Sequence, residues 1–351
     1  MKTKMRLAIA GFGLIGRQHA KAIAESDQAE LVAVIDPSET GQKAGADLGA
    51  KVFADLDQFF AAGGADGILL ATPNALHVEQ GLQCVEQGIP MLIEKPIATR
   101  SSDAWALVER AKQQDVPLIV GHHRRHSPLM QSAKAAIDAG QIGDIRAVQA
   151  MCWLYKPDSY FDEADWRKKP GAGPIAVNLV HDIDLLRYLC GDVKTVRAVA
   201  SPSLRGYQNE DVASALIEFE SGAIGTITVS DSIVSPWSWE LTARENPAYP
   251  PQPESCYLVG GSHGSLSIPD MKLWSYGENP RHWWHPLGVE TRGVHPENPL
   301  VKQVDHFVQV IQKSAKPLVS GEEATKSLLV VEAIQRAAQT GETVRIDQGG
   351  F

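Results

Sequence analysis

From the start of the chain to about residue 120, short apolar runs alternate with stretches whose apolar residues recur every three or four positions. Residues 6–10, 31–35, 51–53, 66–71, 90–93 and 117–120 read as strands, too short and too continuously apolar for amphipathic helices. Residues 39–48 and 75–87 read as helices between them, and so does a segment from Ser101 or Ser102 to Gln114, either serine being able to cap it. This β-α alternation predicts a parallel, doubly wound sheet, which binds ligands beyond the carboxyl ends of its strands. Gly11, Asp36, Thr72, Glu94 and Gly121 all fall at such ends, so the expected topology gathers them on one edge.

After about residue 125 the pattern changes. Ser127-Pro128 starts a helix to Ala139, and then strands dominate, at 145–155, 193–200, 212–219, 223–230, 237–243, 256–259 and 264–268. Ser221-Gly222 reads as a hairpin turn, and Thr226-Ile227-Thr228-Val229-Ser230 alternates with period two, apolar on one face and polar on the other. A second domain of α+β type on a large, mostly antiparallel sheet is expected, with its open face as a subunit interface in a homodimer or homotetramer. The segment 277–299 is long and irregular and carries His282, Trp283, Trp284, His285 and His295. It reads as a surface loop anchored by its two tryptophans, or else as a lid or an arm to a neighbouring subunit. Helices at 301–312 and 322–340 close the chain, and the domain division is expected at 1–122 and 123–351.

Composition narrows the partners. In 351 residues, 33 Lys and Arg face 42 Asp and Glu, a net charge of −9, so nothing draws the chain to nucleic acid or to an anionic membrane. The four cysteines, Cys84, Cys152, Cys190 and Cys256, are far apart and make neither a disulfide framework nor a zinc knuckle. They fit a reducing compartment. Lys2, Lys4 and Arg6 before an apolar stretch faintly imitate a signal peptide, but Gly11, Gly13 and Gly16 would break its helix. With no run of about 18 apolar residues, a cytoplasmic location is expected.

The chemistry begins at the first strand's end. Gly11-Phe12-Gly13-Leu14-Ile15-Gly16 has the G-x-G-x-x-G spacing: a tight turn, a close backbone approach to a pyrophosphate, and close packing of helix on strand. The helix that follows would offer unpaired N–H groups and a partial positive charge to a phosphate. Asp36, ending the second strand 20 positions after Gly16, can accept from a ribose 2′-hydroxyl and would repel a 2′-phosphate. The reading is therefore an NAD site, with NADP disfavoured; a solvated Asp before the turn-former Pro37 is the plainer alternative.

Two further stretches stand out. Ile93-Glu94-Lys95-Pro96 puts a lysine over the crevice expected to hold a nicotinamide, placed to exchange a proton with a substrate hydroxyl. A surface lysine at a strand exit is the ordinary reading. Gly171-Ala172-Gly173-Pro174 leads into a helix that carries His181 in its early turns and ends near Cys190, with Gly191 as its cap. His181 there can serve as base or donor, or simply as a satisfied core histidine.

Together with Ala71-Thr72-Pro73-Asn74-Ala75-Leu76-His77 and Gly121-His122-His123-Arg124-Arg125, these stretches resemble the glucose–fructose oxidoreductase/inositol dehydrogenase (Gfo/Idh/MocA) family over essentially the whole chain. The resemblance implies an N-terminal Rossmann domain, a C-terminal α+β domain, and NAD(P)-dependent chemistry on sugars, polyols, diols and related compounds. It implies Lys95 and His181 as the catalytic pair, converging on one substrate oxygen. Thr72, Asn74, His77 and Glu94 would frame the cofactor, with Pro73, Lys95 and His123 beside them, and the Lys95–Pro96 bond is of a kind often cis. One departure matters: many members carry an acid four residues before the histidine, where this chain has Val177, so Asn178 or Asp182 is left to replace it.

Lys95, Arg124, Tyr155, Trp166, Arg167, Asn178 and His181 are the expected substrate contacts. Lys168, Lys169 and Arg125 add a cationic surround that fits a carboxylate on the substrate, although it also fits a solvated basic loop. Hydride chemistry needs no metal, and none is expected. A non-catalytic NAD-binding sensor on the same fold, and an NAD-assisted glycosidase or lyase, are the competing functions.

Overall fold

Six strands form one parallel sheet: β1 (Met5–Ala10), β2 (Ala29–Ile35), β3 (Lys51–Phe53), β4 (Gly67–Leu70), β5 (Met91–Ile93) and β6 (Leu118–Val120). Their order in this computed structural model, which describes residues 3–347, is β3-β2-β1-β4-β5-β6, the doubly wound arrangement. Along β1, Leu7 and Ile9 enter one apolar cluster while Ala8 and Ala10 enter another, so both faces of the sheet are covered.

Ala20 and Ile23 of the helix that follows β1 cover part of the Leu7 face, and the rest of its cover comes from far along the chain. Helix Pro299–Ile311 presents Val304, Phe307 and Val308 to it, and a Cβ added at Gly67 would lie 2.7 Å from Ile311 Cδ1. The compact units therefore differ from the contiguous halves 1–122 and 123–351. Among the described residues, one unit holds 3–126 and Asn298–Leu328; the other holds Ser127–Glu297 and 329–347. A parallel sheet exposes two apolar faces, and the amphipathic helix at 299–311 is what this chain uses to bury part of one.

The second unit is built on a nine-stranded sheet of β7 (Ile145–Trp153), β8 (Val193–Pro202), β9 (Glu210–Phe219), β10 (Ile224–Ser230), β11 (Tyr257–Gly261), β12 (Gly264–Ile268), β13 (Lys272–Ser275), β14 (Gly288–Thr291) and β15 (Val344–Arg345). Their order is β14-β13-β12-β11-β7-β10-β9-β8-β15; only the β7–β10 pair is parallel. Gly222, at φ 83°, makes the expected hairpin between β9 and β10. Ile227 and Val229 are buried as the alternation requires. On the opposite face the register lines up Val199, Leu216, Ile224, Leu258, Trp274 and Val289, all exposed.

Two expectations are corrected. Residues 237–243 are not a strand: Ser238 caps a short helix, Trp239–Thr242, by accepting from the Leu241 N–H, and that local bond outweighs the apolar alternation. The segment 277–299 is not anchored by its tryptophans, because Trp283 and Trp284 are 81% and 80% exposed and pack edge-on to each other at 5.8 Å. Part of that segment instead pairs as β14 along β13. Among the described residues, no helix is long and apolar enough to cross a membrane. The four cysteines are all buried and unbridged.

Candidate active site

In the first unit the glycines differ sharply in what surrounds them. Gly11, at φ 85°, leaves no room for a side chain, since a Cβ would lie 2.6 Å from the Ala71 carbonyl oxygen. At Gly16 a Cβ would lie 2.0 Å from the Gly11 oxygen, so the helix rests directly on the turn. Above Gly13 there is open space, with nothing within 4 Å of a Cβ. Helix Leu14–Glu25 begins there without a side-chain cap, which leaves its first N–H groups to a ligand. Leu14 and Ile15 are exposed at its start, while Phe12 is buried.

Asp36 closes one side of this cradle. Its Oδ2 accepts from the Phe12 N–H at 2.7 Å, and its Oδ1 accepts from the Ser38 N–H at 2.8 Å and the Ser38 hydroxyl at 2.5 Å. Burial works to raise its pKa, but the Ser38 hydroxyl, those backbone donors and Arg17 together hold it below the usual carboxylate range. A fixed anion at the end of β2, an open glycine and an uncapped helix start together fit a dinucleotide with an unphosphorylated ribose.

The ends of β4 and β5 are tied by His77, which is fully buried and takes no part in lining an open surface. Its Nε2 meets the Thr72 carbonyl at 2.9 Å and its Nδ1 the Pro96 carbonyl at 2.8 Å. Thr72 donates its hydroxyl to Gln80 at 2.6 Å, Pro73 is exposed, and Asn74 opens an exposed helical turn. The Lys95–Pro96 peptide is cis, as the resemblance implied, and Lys95 is half-buried just beyond β5.

Glu94 belongs to a buried charge network rather than to an open rim. Its Oε1 lies 2.7 Å from His19 Nε2, its Oε2 accepts from the Lys95 N–H at 3.1 Å, and a Cβ at Gly121 would approach it to 2.7 Å. Burial opposes its ionisation, yet His19, Lys95 and His123 outweigh that and hold its pKa at about 2. His123 is pushed down to about 4, by burial first and then by Arg124, with Glu94 pulling the other way. His19 was missed in the sequence; three positions after Gly16, it lies on the buried side of its helix.

These shifts predict an acid limb in stability. Unfolded, His123 titrates near 6.5; folded, near 4. Across that window the unfolded chain binds the extra proton, so stability falls as pH falls. Glu94, about 2 folded against 4.5 unfolded, continues the loss at lower pH. In urea melts, His123→Asn flattens the decline between pH 6.5 and about 4; a decline that stays as steep in the variant contradicts the assignment.

In the second unit, helix Leu179–Cys190 is buried nearly all round and stops at Gly191, at φ 89°. His181 is buried and donates its backbone N–H to the Asn178 carbonyl at 3.2 Å; Asp182 is fully buried and accepts from the Tyr257 hydroxyl. Asn178 Oδ1 accepts from Lys156 Nζ at 2.7 Å. Lys156, absent from the expected site, is itself buried, 3.7 Å from Asp231 and 5.1 Å from the centre of the Tyr160 ring. Its only sequence signal is a lysine ending an apolar run before Pro157.

The expected cationic surround is largely neutralised from within. Arg167 donates to Glu163 at 2.7 Å and stacks on Tyr160, and Lys168 pairs with Asp162 at 3.0 Å. In the first unit, Arg125 pairs with Glu323 at 3.2 Å and Arg124 is buried. Tyr155 and Trp166 are exposed. Among the described residues no group of His, Cys, Asp and Glu is arranged to hold a metal ion.

Comparison with known proteins agrees with both units. Residues 5–122 match the model of an oxidoreductase family with an NAD-binding Rossmann fold, and residues 130–267 match a GFO/IDH/MocA C-terminal domain. The chain is 28% identical to the NAD-dependent scyllo-inositol 2-dehydrogenase of Bacillus subtilis, over 99% of this chain and 98% of that protein. It is 26% identical to the rhizopine catabolism protein MocA of Rhizobium meliloti, over 94% of each. Among solved structures it is similar to the WlbA dehydrogenase of Bordetella pertussis in complex with NADH and UDP-GlcNAcA. The TM-score there is 0.78 at 28% identity, covering 98% of this chain and 99% of that one.

Proposed function

Because the chain belongs to the Gfo/Idh/MocA oxidoreductase family and carries its NAD-binding domain, we propose that it is an NAD-dependent dehydrogenase acting on a hydroxyl-bearing carbon of a sugar, polyol, cyclic diol or related hydroxy acid. Its relatives named as inositol and sugar dehydrogenases support the substrate class. The observation that carries the reading is the first unit's combination of an open, uncapped glycine turn and anionic Asp36 with a half-buried Lys95 at the end of β5.

Bound NAD supplies the hydride acceptor at the nicotinamide C4. The chain's own residues do the rest. The first N–H groups of helix Leu14–Glu25 hold the diphosphate, and Asp36 accepts from the ribose hydroxyl. Thr72, Pro73 and Asn74 border the cofactor, and His77 holds the Thr72 carbonyl and the Pro96 carbonyl on either side of it. Lys95 and His181 bind the substrate hydroxyl and handle its proton, general acid–base work of the kind both side chains perform. Glu94 fixes the Lys95 backbone through its N–H. The exposed apolar face across β8–β14 supports assembly of two or four copies. The buried, unbridged cysteines support a reducing, cytoplasmic setting.

The test is a panel of polyols, aldonic acids and cis-diols offered with NAD⁺ and with NADP⁺, followed by absorbance of the reduced cofactor. NADH forms with at least one compound, and NADP⁺ serves less well because Asp36 repels its 2′-phosphate. Tight NADH binding with no reduction across the panel would make the chain a sensor instead.

A further inference from the structure

The pairing of Asn178 with a buried lysine settles which way its amide points. An ammonium only donates, so the atom 2.7 Å from Lys156 Nζ must be the amide oxygen. The Nδ2 group is thereby turned outward with both N–H bonds. It has no hydrogen-bond partner among the described residues, yet it is not one of the buried unpaired polar atoms, so it touches solvent. Asn178 lies three residues before His181 and accepts the His181 backbone N–H. At that spacing the two side chains lie on one side of the helix start.

Lys156 is locked in place from several directions. Its carbonyl accepts from Arg205 at 2.8 Å, its ammonium faces Asp231 and the Tyr160 ring, and Arg205 reaches Asp231 at 3.4 Å. The side chain that fixes the Asn178 amide is therefore itself fixed, and its positive charge polarises that amide toward donation. An acid would read a substrate hydroxyl as a donor. This arrangement does the reverse: next to His181 it presents a donor backed by a cation.

We propose that Asn178, held by Lys156, is a specificity-determining contact that binds a carboxylate oxygen of the substrate beside His181, so that the preferred substrates are hydroxy acids rather than neutral polyols or sugars. The proposal rests on the dehydrogenase reading above and deepens it. Asn178 is the binding residue and Lys156 the positioning residue. The loop cations at 167 and 168 are not needed, since their own carboxylate neighbours already pair them.

The experiment compares matched carbon skeletons, D-gluconate against D-glucitol and D-glucuronate against D-glucose, with NAD⁺. The wild-type chain prefers the acid of each pair in kcat/KM. Asn178→Asp replaces the donor with an anion that still pairs with Lys156, and lowers the acid-to-neutral ratio by about 10- to 100-fold, mainly through the KM of the acid. Lys156→Arg keeps a cationic donor and retains more of the preference than Lys156→Met. NADH affinity, measured by fluorescence, stays at the wild-type value in Asn178→Asp and shows that the fold is intact. A wild-type preference for the neutral member, or an equal loss on both members in Asn178→Asp, overturns this proposal alone. A wild-type chain that reduces NAD⁺ with no hydroxylated compound overturns the dehydrogenase reading as well.

Discussion

Replacing Lys95 with alanine lowers kcat by about 10²- to 10⁴-fold, the range spanned by losing a positioned proton-transfer group, while NADH binding changes little. The reasoning is local to the first unit. Lys95 lies two residues beyond the end of β5, in the same strand-end row as the Gly11 turn and Asp36, and Glu94 holds its backbone N–H. In the proposed reading the phosphate and ribose contacts fall to the Gly11–Gly16 turn and Asp36, so truncating the lysine removes chemistry more than affinity. His181→Ala produces a loss of the same order. If both residues act on one hydroxyl proton, the double variant is not the product of the two single losses. Alanine at Lys95 with wild-type kcat, or a loss explained wholly by weaker NADH binding, would remove the lysine from the mechanism.

Alanine at Gly13 and at Gly16 separates two roles that the glycine pattern combines. At Gly13 an added methyl meets no protein atom within 4 Å, so the nucleotide-free chain melts as wild type does. The same methyl occupies the space a diphosphate needs, and NADH affinity falls by about tenfold or more. At Gly16 the added Cβ would sit 2.0 Å from the Gly11 carbonyl oxygen, a backbone atom that cannot swing away. Gly16→Ala therefore lowers the melting temperature as well as the affinity, because helix and turn must separate. Overpacking of this kind costs about 1–3 kcal/mol. Calorimetry and fluorescence titration on both variants check this, and a Gly16→Ala chain with wild-type stability and affinity would contradict the packing argument.

Much of the first unit was legible because its signals are short-range. The turn from Gly11 to Gly16, the acid at 36 and the strand ends at Thr72 and Glu94 depend on residues within one β-α step of one another. The packing of helix Pro299–Ile311 into that unit was not legible. Its apolar stripe announces a buried face, but nothing in a stripe names the sheet that buries it. The same limit hid Lys156, whose partner Asn178 lies 22 positions away, and His19, whose partner Glu94 lies 75 away. The basic stretch at 167–168 misled in the opposite direction: the residues are charged as expected, but Glu163 and Asp162 pair with them. Residues 237–243 show the local version of the problem, where one serine cap decides between helix and strand.

The claim that this chain transfers hydride from a carbinol carbon is tested most directly with a substrate from the panel carrying deuterium on that carbon. The reduced nicotinamide recovered after turnover is predicted to be one mass unit heavier than that formed from the unlabelled compound. Turnover that leaves no deuterium in the cofactor, or product formed with no net cofactor reduction, would contradict the account.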